Sequence, residues 1–309
     1  MPFTAQDLEK ECQAAGLEFP DHVLEQLTAA IDAGKHVILT GPPGTGKTSL
    51  AFLAAEVAQR RMMCTGFLPT TATTEWTTFE TIGGFQPTSE GLIYRPGLFV
   101  EAIETGRWLV IDELNRSNFD RAFGQLFTVL SGQAVVLPFK RAGQMKNLSL
   151  VPYGAPVPED TEPIRVPSSW RIVATMNVFD KNLLFDMSYA LMRRFAFIEL
   201  NSPDEDGFRR ILGDDDLVLR LLPLRQFRDL GPAVYLDARK YAERRRQDEP
   251  TESRLLYEMF YAYFLPQLEG LDDTTSRRIF RFMAGMLAPP EVTQVRRTMG
   301  EVLGADLGT

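Results

Sequence analysis

Gly41, Pro42, Pro43, Gly44, Thr45, Gly46, Lys47 and Thr48 fall in the spacing G-x-x-x-x-G-K-[ST], between a short apolar run and a longer amphipathic one. That spacing is chemistry for phosphate. Glycines let the backbone fold tightly enough to aim several N–H groups at phosphate oxygens, where side chains would obstruct the approach. A helix opening at the loop adds its positive N-terminal end. Lys47 then reaches toward the terminal phosphates, the Thr48 hydroxyl ligates Mg²⁺, and Ser49 completes the nucleotide-binding set. Over 309 positions a chance match is on the order of one in a hundred. The competing reading, a glycine-rich turn without ligand, also has to explain why the match sits between a strand and a helix.

Downstream, the apolar run Trp108, Leu109, Val110, Ile111 ends in Asp112 and Glu113. A strand of this kind delivers both carboxylates to the carboxyl edge of the sheet, where ligands of open α/β folds gather. Asp112 holds Mg²⁺ through water in this reading, and Glu113 orients and polarises the water that attacks the γ-phosphorus. An apolar run followed by Asp-Glu is common by itself; the upstream loop gives it meaning. A second run, 171–175, ends in Met176 and Asn177, which puts a neutral amide at the same edge to hydrogen-bond the γ-phosphate or the lytic water. The plainer alternative is that Asn177 caps a turn. Arg193 and Arg194 precede a further core run, and an arginine supplied in trans can neutralise transition-state charge. Arg194 is the first choice for that role, Arg193 the second; a surface ion pair is the bland reading of either.

These residues need elements to position them. Residues 36–40 read as a strand buried on both faces, and 49–60 as a helix of about three turns. Residues 62–64, 108–111, 171–175 and 195–199 supply further buried-strand candidates separated by helical or turn-rich stretches. That alternation indicates a doubly wound α/β domain with a parallel sheet. Two short amphipathic helices precede it within 7–34. Phe119, Phe123, Leu126 and Leu130 predict one helix over 117–130 with its apolar face on the sheet. An insertion is placed near 138–169, a surface segment from Val151 to Ser169 because of its five prolines and weak periodicity. Beyond Pro203 strand-like runs vanish and amphipathic helices dominate, as over 232–246 and 252–268. The expected domains are an α/β nucleotide-binding domain over 1–200 and a smaller all-helical lid over 201–309.

Composition bounds the rest. Hydrophobic residues are 44% and charged residues 24% of the chain, and no apolar stretch approaches the roughly 18 residues a membrane helix requires. The N-terminal residues lack the basic-then-apolar order of a secretory signal. Cys12 and Cys64 are too few for a disulfide framework or a cysteine-built metal site, which fits a reducing, cytoplasmic setting. With 41 acidic and 33 basic side chains the net charge is −8, so direct nucleic-acid binding would have to come from a local basic patch.

With these elements in order, the chain resembles AAA+ ATPases, and within them the dynein-related branch that includes McrB-type and MoxR-type proteins. The resemblance spans roughly residues 17–200. It is carried by Gly16-Leu17-Glu18-Phe19-Pro20, the phosphate loop, Tyr94-Arg95-Pro96-Gly97 with Ala102, and above all Asp112-Glu113-Leu114-Asn115-Arg116. Met176-Asn177, Asp180-Lys181 and the stretch from Asp186 to Phe195 lean toward the McrB type, with departures at Val178 and Lys181. The resemblance implies a P-loop NTPase core with a helical lid, ATP (or GTP) with Mg²⁺, and a homo-oligomeric ring, hexameric in this branch. Nucleotide sites would lie between subunits, with Arg194 reaching its neighbour's γ-phosphate. A second sensing arginine often follows a Gly-Pro pair in the lid of such proteins, but here Gly231-Pro232 is followed by Ala233. Arg239, Arg254 and the cluster Arg244-Arg245-Arg246 read more simply as solvated helix faces.

Three functions follow. The first is a McrB-like motor driving a partner such as a nuclease in a restriction or defence system, with target recognition on another polypeptide. The second is a MoxR-like chaperone that remodels or matures a protein client, with a von Willebrand A-type partner. The third is a nucleotide-gated scaffold with little turnover.

Overall fold

The computed structural model describes residues 4–89, 91–177, 192–213 and 215–307, with backbone only at 119 and 120. It divides into two units, one formed by Met1–Gly41 with Gly46–Leu200 and the other by Pro42–Thr45 with Asn201–Thr309.

The first unit is built on a parallel sheet. Its strands in chain order are β1 (His36–Gly41), β2 (Phe67–Thr71), β5 (Trp108–Asp112), β9 (Ile172–Asn177) and β10 (Phe195–Glu199), and in space they lie as β10-β1-β9-β5-β2. Branched and large apolar residues dominate the three inner strands because both faces are covered. Alternation sends neighbouring side chains to opposite sides. Val37, Leu39, Trp108, Val110 and Val173 pack on one face against α1 (Ala5–Ala14), α2 (Asp21–Asp32) and α3 (Lys47–Arg60). Ile38, Leu109, Ile111, Ile172 and Ala174 pack on the other, with Phe99 and Ile103 of a helix over Leu98–Glu104, with Phe123 and Leu126, and with Leu148 and Leu150. The chain is thus an α/β P-loop NTPase fold followed by a helical C-terminal region.

Three expectations are corrected. Residues 62–64 are no strand: α3 ends at Arg60, Met62 turns at φ 58° and is 91% exposed, and the strand is β2 at Phe67–Thr71. Among the described residues β2 pairs only with β5, so its Pro69 has a free side on which the missing N–H costs no ladder bond. The helix expected over 117–130 is two short ones, Phe119–Phe123 and Leu126–Leu130, separated at Gly124 with φ 44°. The proline-dense stretch is not all surface. Its strand β8 (Thr161–Val166) runs parallel to β7 (Asn147–Pro152), which also pairs with β6 (Val135–Val136), and Leu150, Val151, Ile164 and Val166 are buried.

A feature not read from the sequence is an antiparallel hairpin of β3 (Gly83–Thr88) with β4 (Gly91–Pro96). The second unit has a separate, all-helical core around Phe208, Tyr235, Phe260, Phe264, Met283 and Met299. Among the described residues, no helix is long and apolar enough to cross a membrane.

Candidate functional site

Parallel register brings the chemistry-bearing residues to one rim. Gly41, the last residue of β1, is level with Asn177, the last of β9, and β5 ends beside them in Asp112. At Gly41 the backbone has φ 149°, and a Cβ there would stand 2.0 Å from the Leu200 carbonyl oxygen, so glycine is required for this turn out of the sheet. The chain re-enters helix at Gly46, whose φ of 86° is left-handed and whose missing side chain leaves room for the Phe19 ring. In the loop itself, Thr45 donates its hydroxyl to the Pro42 carbonyl at 3.0 Å. Pro43 and Gly44 complete the turn, Gly44 at φ 78°.

Lys47 and Thr48 open α3, with half-buried Ser49 next to them. The Lys47 side chain is buried, and its ammonium donates to the Gly41 carbonyl at 3.0 Å. Burial lowers its pKa to about 8, against the opposing pull of Asp112 and Glu113. The Thr48 hydroxyl donates to Asp112 Oδ1 at 2.6 Å. A hydroxyl and a carboxylate in contact are an all-oxygen donor pair of the kind a hard Mg²⁺ ion takes, with phosphate and water oxygens filling its remaining positions. The residues present therefore fit that ion.

Glu113 is not an ordinary strand end. Its backbone lies in the left-handed region at φ 51° and ψ 48°, a conformation that costs a non-glycine residue of order 1–3 kcal/mol and clusters at functional sites. Its N–H donates to the Thr175 hydroxyl at 3.0 Å and its carbonyl accepts from the Arg116 N–H at 2.9 Å. The side chain is held as well: Asn177 Nδ2 donates to Oε1 at 3.3 Å, and Arg116 forms an ion pair with Oε2. The structure thus gathers Gly41, Lys47, Thr48, Asp112, Glu113 and Asn177 at one place. Such an arrangement can hold a triphosphate, neutralise its charge and direct a water at it.

Arg193 and Arg194 stand elsewhere. They precede β10, which runs parallel to β1 with Phe195 level with His36, so they lie at the opposite end of the sheet from the rim. There the Arg193 carbonyl accepts from Lys35 Nζ and the Arg194 carbonyl from the His36 N–H. Val178, Asp180, Lys181 and Asp186 lie outside the described residues. Arg239 donates to the Leu212 carbonyl at 2.9 Å, and Arg254 to Glu258 and Gln294, both at 2.8 Å, so each is engaged within the helical unit. Arg245 pairs with Glu258, and Arg246 holds both Asp215 oxygens.

Two residues were missed. Thr175 is the one polar side chain among Ile172, Val173, Ala174 and Met176, two positions before Asn177, and that isolated hydroxyl was the available signal. Arg116 was visible only as part of a string; its spacing three residues after Glu113 on a short 3₁₀ turn brings the two together.

The family model for the AAA domain of the dynein-related subfamily matches residues 36–195. The chain is 28% identical over 209 residues to the type IV methyl-directed restriction enzyme EcoKMcrB subunit of Escherichia coli (strain K12), a match covering 63% of this chain and 42% of that one. It is 26% identical over 196 residues to an uncharacterized protein of Staphylococcus aureus (strain bovine RF122 / ET3-1), covering 63% and 66%, and equally to one from strain USA300. The chain thus spans less than two thirds of the length of these relatives.

Proposed function

The chain belongs to the dynein-related subfamily of AAA domains, nucleotide-binding modules, and on that premise we propose that it hydrolyses a nucleoside triphosphate, ATP in preference to GTP. One observation carries the reading: at a single sheet rim the loop threonine Thr48 is bonded to Asp112, while Glu113, held by Asn177, stands next in the chain.

The roles follow from the chemistry of each group. Lys47 and the loop N–H groups bind the β- and γ-phosphates. Thr48 and Asp112 would hold Mg²⁺, which supplies charge neutralisation on the phosphate oxygens when bound. Glu113 accepts a proton from water as that water's oxygen bonds to the γ-phosphorus. The bond from that phosphorus to the β–γ bridging oxygen breaks, leaving nucleoside diphosphate and inorganic phosphate. Asn177 orients Glu113 and the water through its amide N–H. Ring assembly, hexameric by the family resemblance, would bring Arg194, with Arg193 beside it, to a neighbour's γ-phosphate. The similarity to a restriction-enzyme subunit supports work on a partner, a nuclease in a defence system, ahead of client remodelling.

The decisive test is Glu113→Gln in purified protein. Phosphate release should fall by about 10²–10⁴-fold while fluorescent-nucleotide affinity stays within a few-fold. Turnover unchanged by this substitution, or a wild-type protein that binds neither ATP nor GTP, overturns the proposal.

A further inference from the structure

Thr175 is buried, 1% exposed, in the middle of the sheet, and its hydroxyl is used twice. It donates its one proton to Asp112 Oδ1 at 2.6 Å, so toward Glu113 it can only accept, and the Glu113 N–H donates to it at 3.0 Å. Asp112 Oδ1 also takes the Thr48 hydroxyl at 2.6 Å. Two donors from different elements, α3 and β9, therefore converge on one carboxylate oxygen, while Oδ2 takes neither bond. A single donor can follow a carboxylate oxygen as it turns about Cβ–Cγ; two donors fixed on different elements cannot both follow it, so the turn breaks at least one of these part-buried hydrogen bonds.

The second bond acts on the backbone. Glu113 sits at φ 51°, a conformation that persists only where its surroundings over-determine it. The Thr175 oxygen accepts its N–H at the residue where the strand turns left-handed, and that turn decides where the Glu113 carboxylate points. We propose that Thr175 is a positioning residue for hydrolysis, a single hydroxyl that fixes the metal-side carboxylate of Asp112 and the water-side Glu113 relative to each other. Both of its hydrogen bonds go to the two acidic residues. Its effect passes through the two acidic residues, so it belongs to the chemical step and not to nucleotide affinity, which rests on Lys47 and the loop N–H groups.

The inference depends on the hydrolytic reading of the same rim, and the test keeps the two apart. Thr175→Val keeps the shape and removes both hydrogen bonds; Thr175→Ser keeps the hydroxyl. Thr175→Val should lower kcat by about 10–100-fold, leave nucleotide affinity within about threefold, and be rescued by Thr175→Ser. Without nucleotide, hydrogen exchange resolved at the Glu113 amide should accelerate in Thr175→Val and not in Thr175→Ser. Thr175→Ala, with the same loss of both bonds, stands in if the valine variant does not fold. A wild-type protein without turnover sinks the hydrolytic reading, and the exchange arm then still decides whether the clamp exists. If wild-type turnover is present and Thr175→Val matches it, or if kcat and affinity fall together in valine and serine variants alike, Thr175 is only a core residue.

Discussion

In the proposed hydrolysis, Asn177 and Glu113 form the pair on which reactivity at this rim turns. An amide Nδ2 at 3.3 Å from a carboxylate oxygen steers it by donation while carrying no charge that would compete for phosphate. Replacing the amide by a methyl group removes the donor, and replacing it by a carboxylate sets like charges side by side. Asn177→Ala is expected to lower single-turnover hydrolysis by about 10²–10³-fold, the usual effect of losing one well-placed donor. Asn177→Asp should fall at least as far, because repulsion would push Glu113 out of line. Nucleotide affinity, titrated in parallel, should stay within a few-fold for the alanine variant; a loss of affinity matching the loss of rate would assign Asn177 to ground-state binding instead. The contacts of Thr48 and Asp112 were foreseeable from spacing, since a loop and a strand end specify where their side chains emerge. The links through Thr175 and Arg116 were not, because they depend on strand register and on the left-handed turn at Glu113, which no residue-type pattern encodes.

At the scale of elements, strands buried on both faces were legible because continuous apolar runs have few other fates: β1, β5 and β9 stand within two residues of where such runs lie, as does the half-buried edge strand β10. β2 was not, since an edge strand tolerates Pro69 and so loses the pattern that marks its neighbours. The break at Gly124 was masked by an apolar periodicity that continues across it. β1 also carries a feature with a measurable consequence. His36 is buried, its Nδ1 accepting the Ile172 N–H at 2.9 Å, and burial, reinforced by Arg171 and Lys35, lowers its pKa from 6.5 to about 3. The folded pKa is the lower one, so below pH 6.5 the unfolded chain takes a proton that the folded chain refuses. The stability His36 contributes is present above that pH and is lost as the pH falls toward 3, at about 1.4 kcal/mol per unit once well below 6.5. All three tryptophans, Trp76, Trp108 and Trp170, lie in the first unit, so their fluorescence follows that unit alone. Urea midpoints read this way should drop between pH 6.5 and 5, before most carboxylates titrate, and Asn in place of His36 should flatten the slope. An equal slope in the Asn variant would remove His36 as its source.

At the scale of the whole molecule, the proposed role of the two arginines poses a geometric problem that assembly would solve. Arg194 precedes the first residue of β10, whereas the phosphate loop leaves the last residue of β1, and the paired strands run parallel for five residues. At about 3.3 Å per residue that is roughly 16 Å along the sheet, more than an extended arginine side chain spans. Arg194 therefore cannot serve the rim of its own chain, and a catalytic role requires a second copy arranged head to tail. Such contacts are heterologous, each site being made of one subunit's rim and its neighbour's arginine. Arg194→Ala alone should then lose about 10³-fold in hydrolysis, as Glu113→Gln does by a different route. Mixing the two inactive proteins makes interfaces in which an intact Glu113 faces an intact Arg194. With random assembly, roughly a quarter of all interfaces would be of that kind, and activity should return toward that fraction of wild type. The recovery should require protein concentrations at which nucleotide-dependent oligomers are seen by mass photometry, and it should vanish on dilution below them. If the mixture stays as inactive as its parts while oligomers plainly form, Arg194 does not act across the interface, and its place before β10 is that of a structural residue.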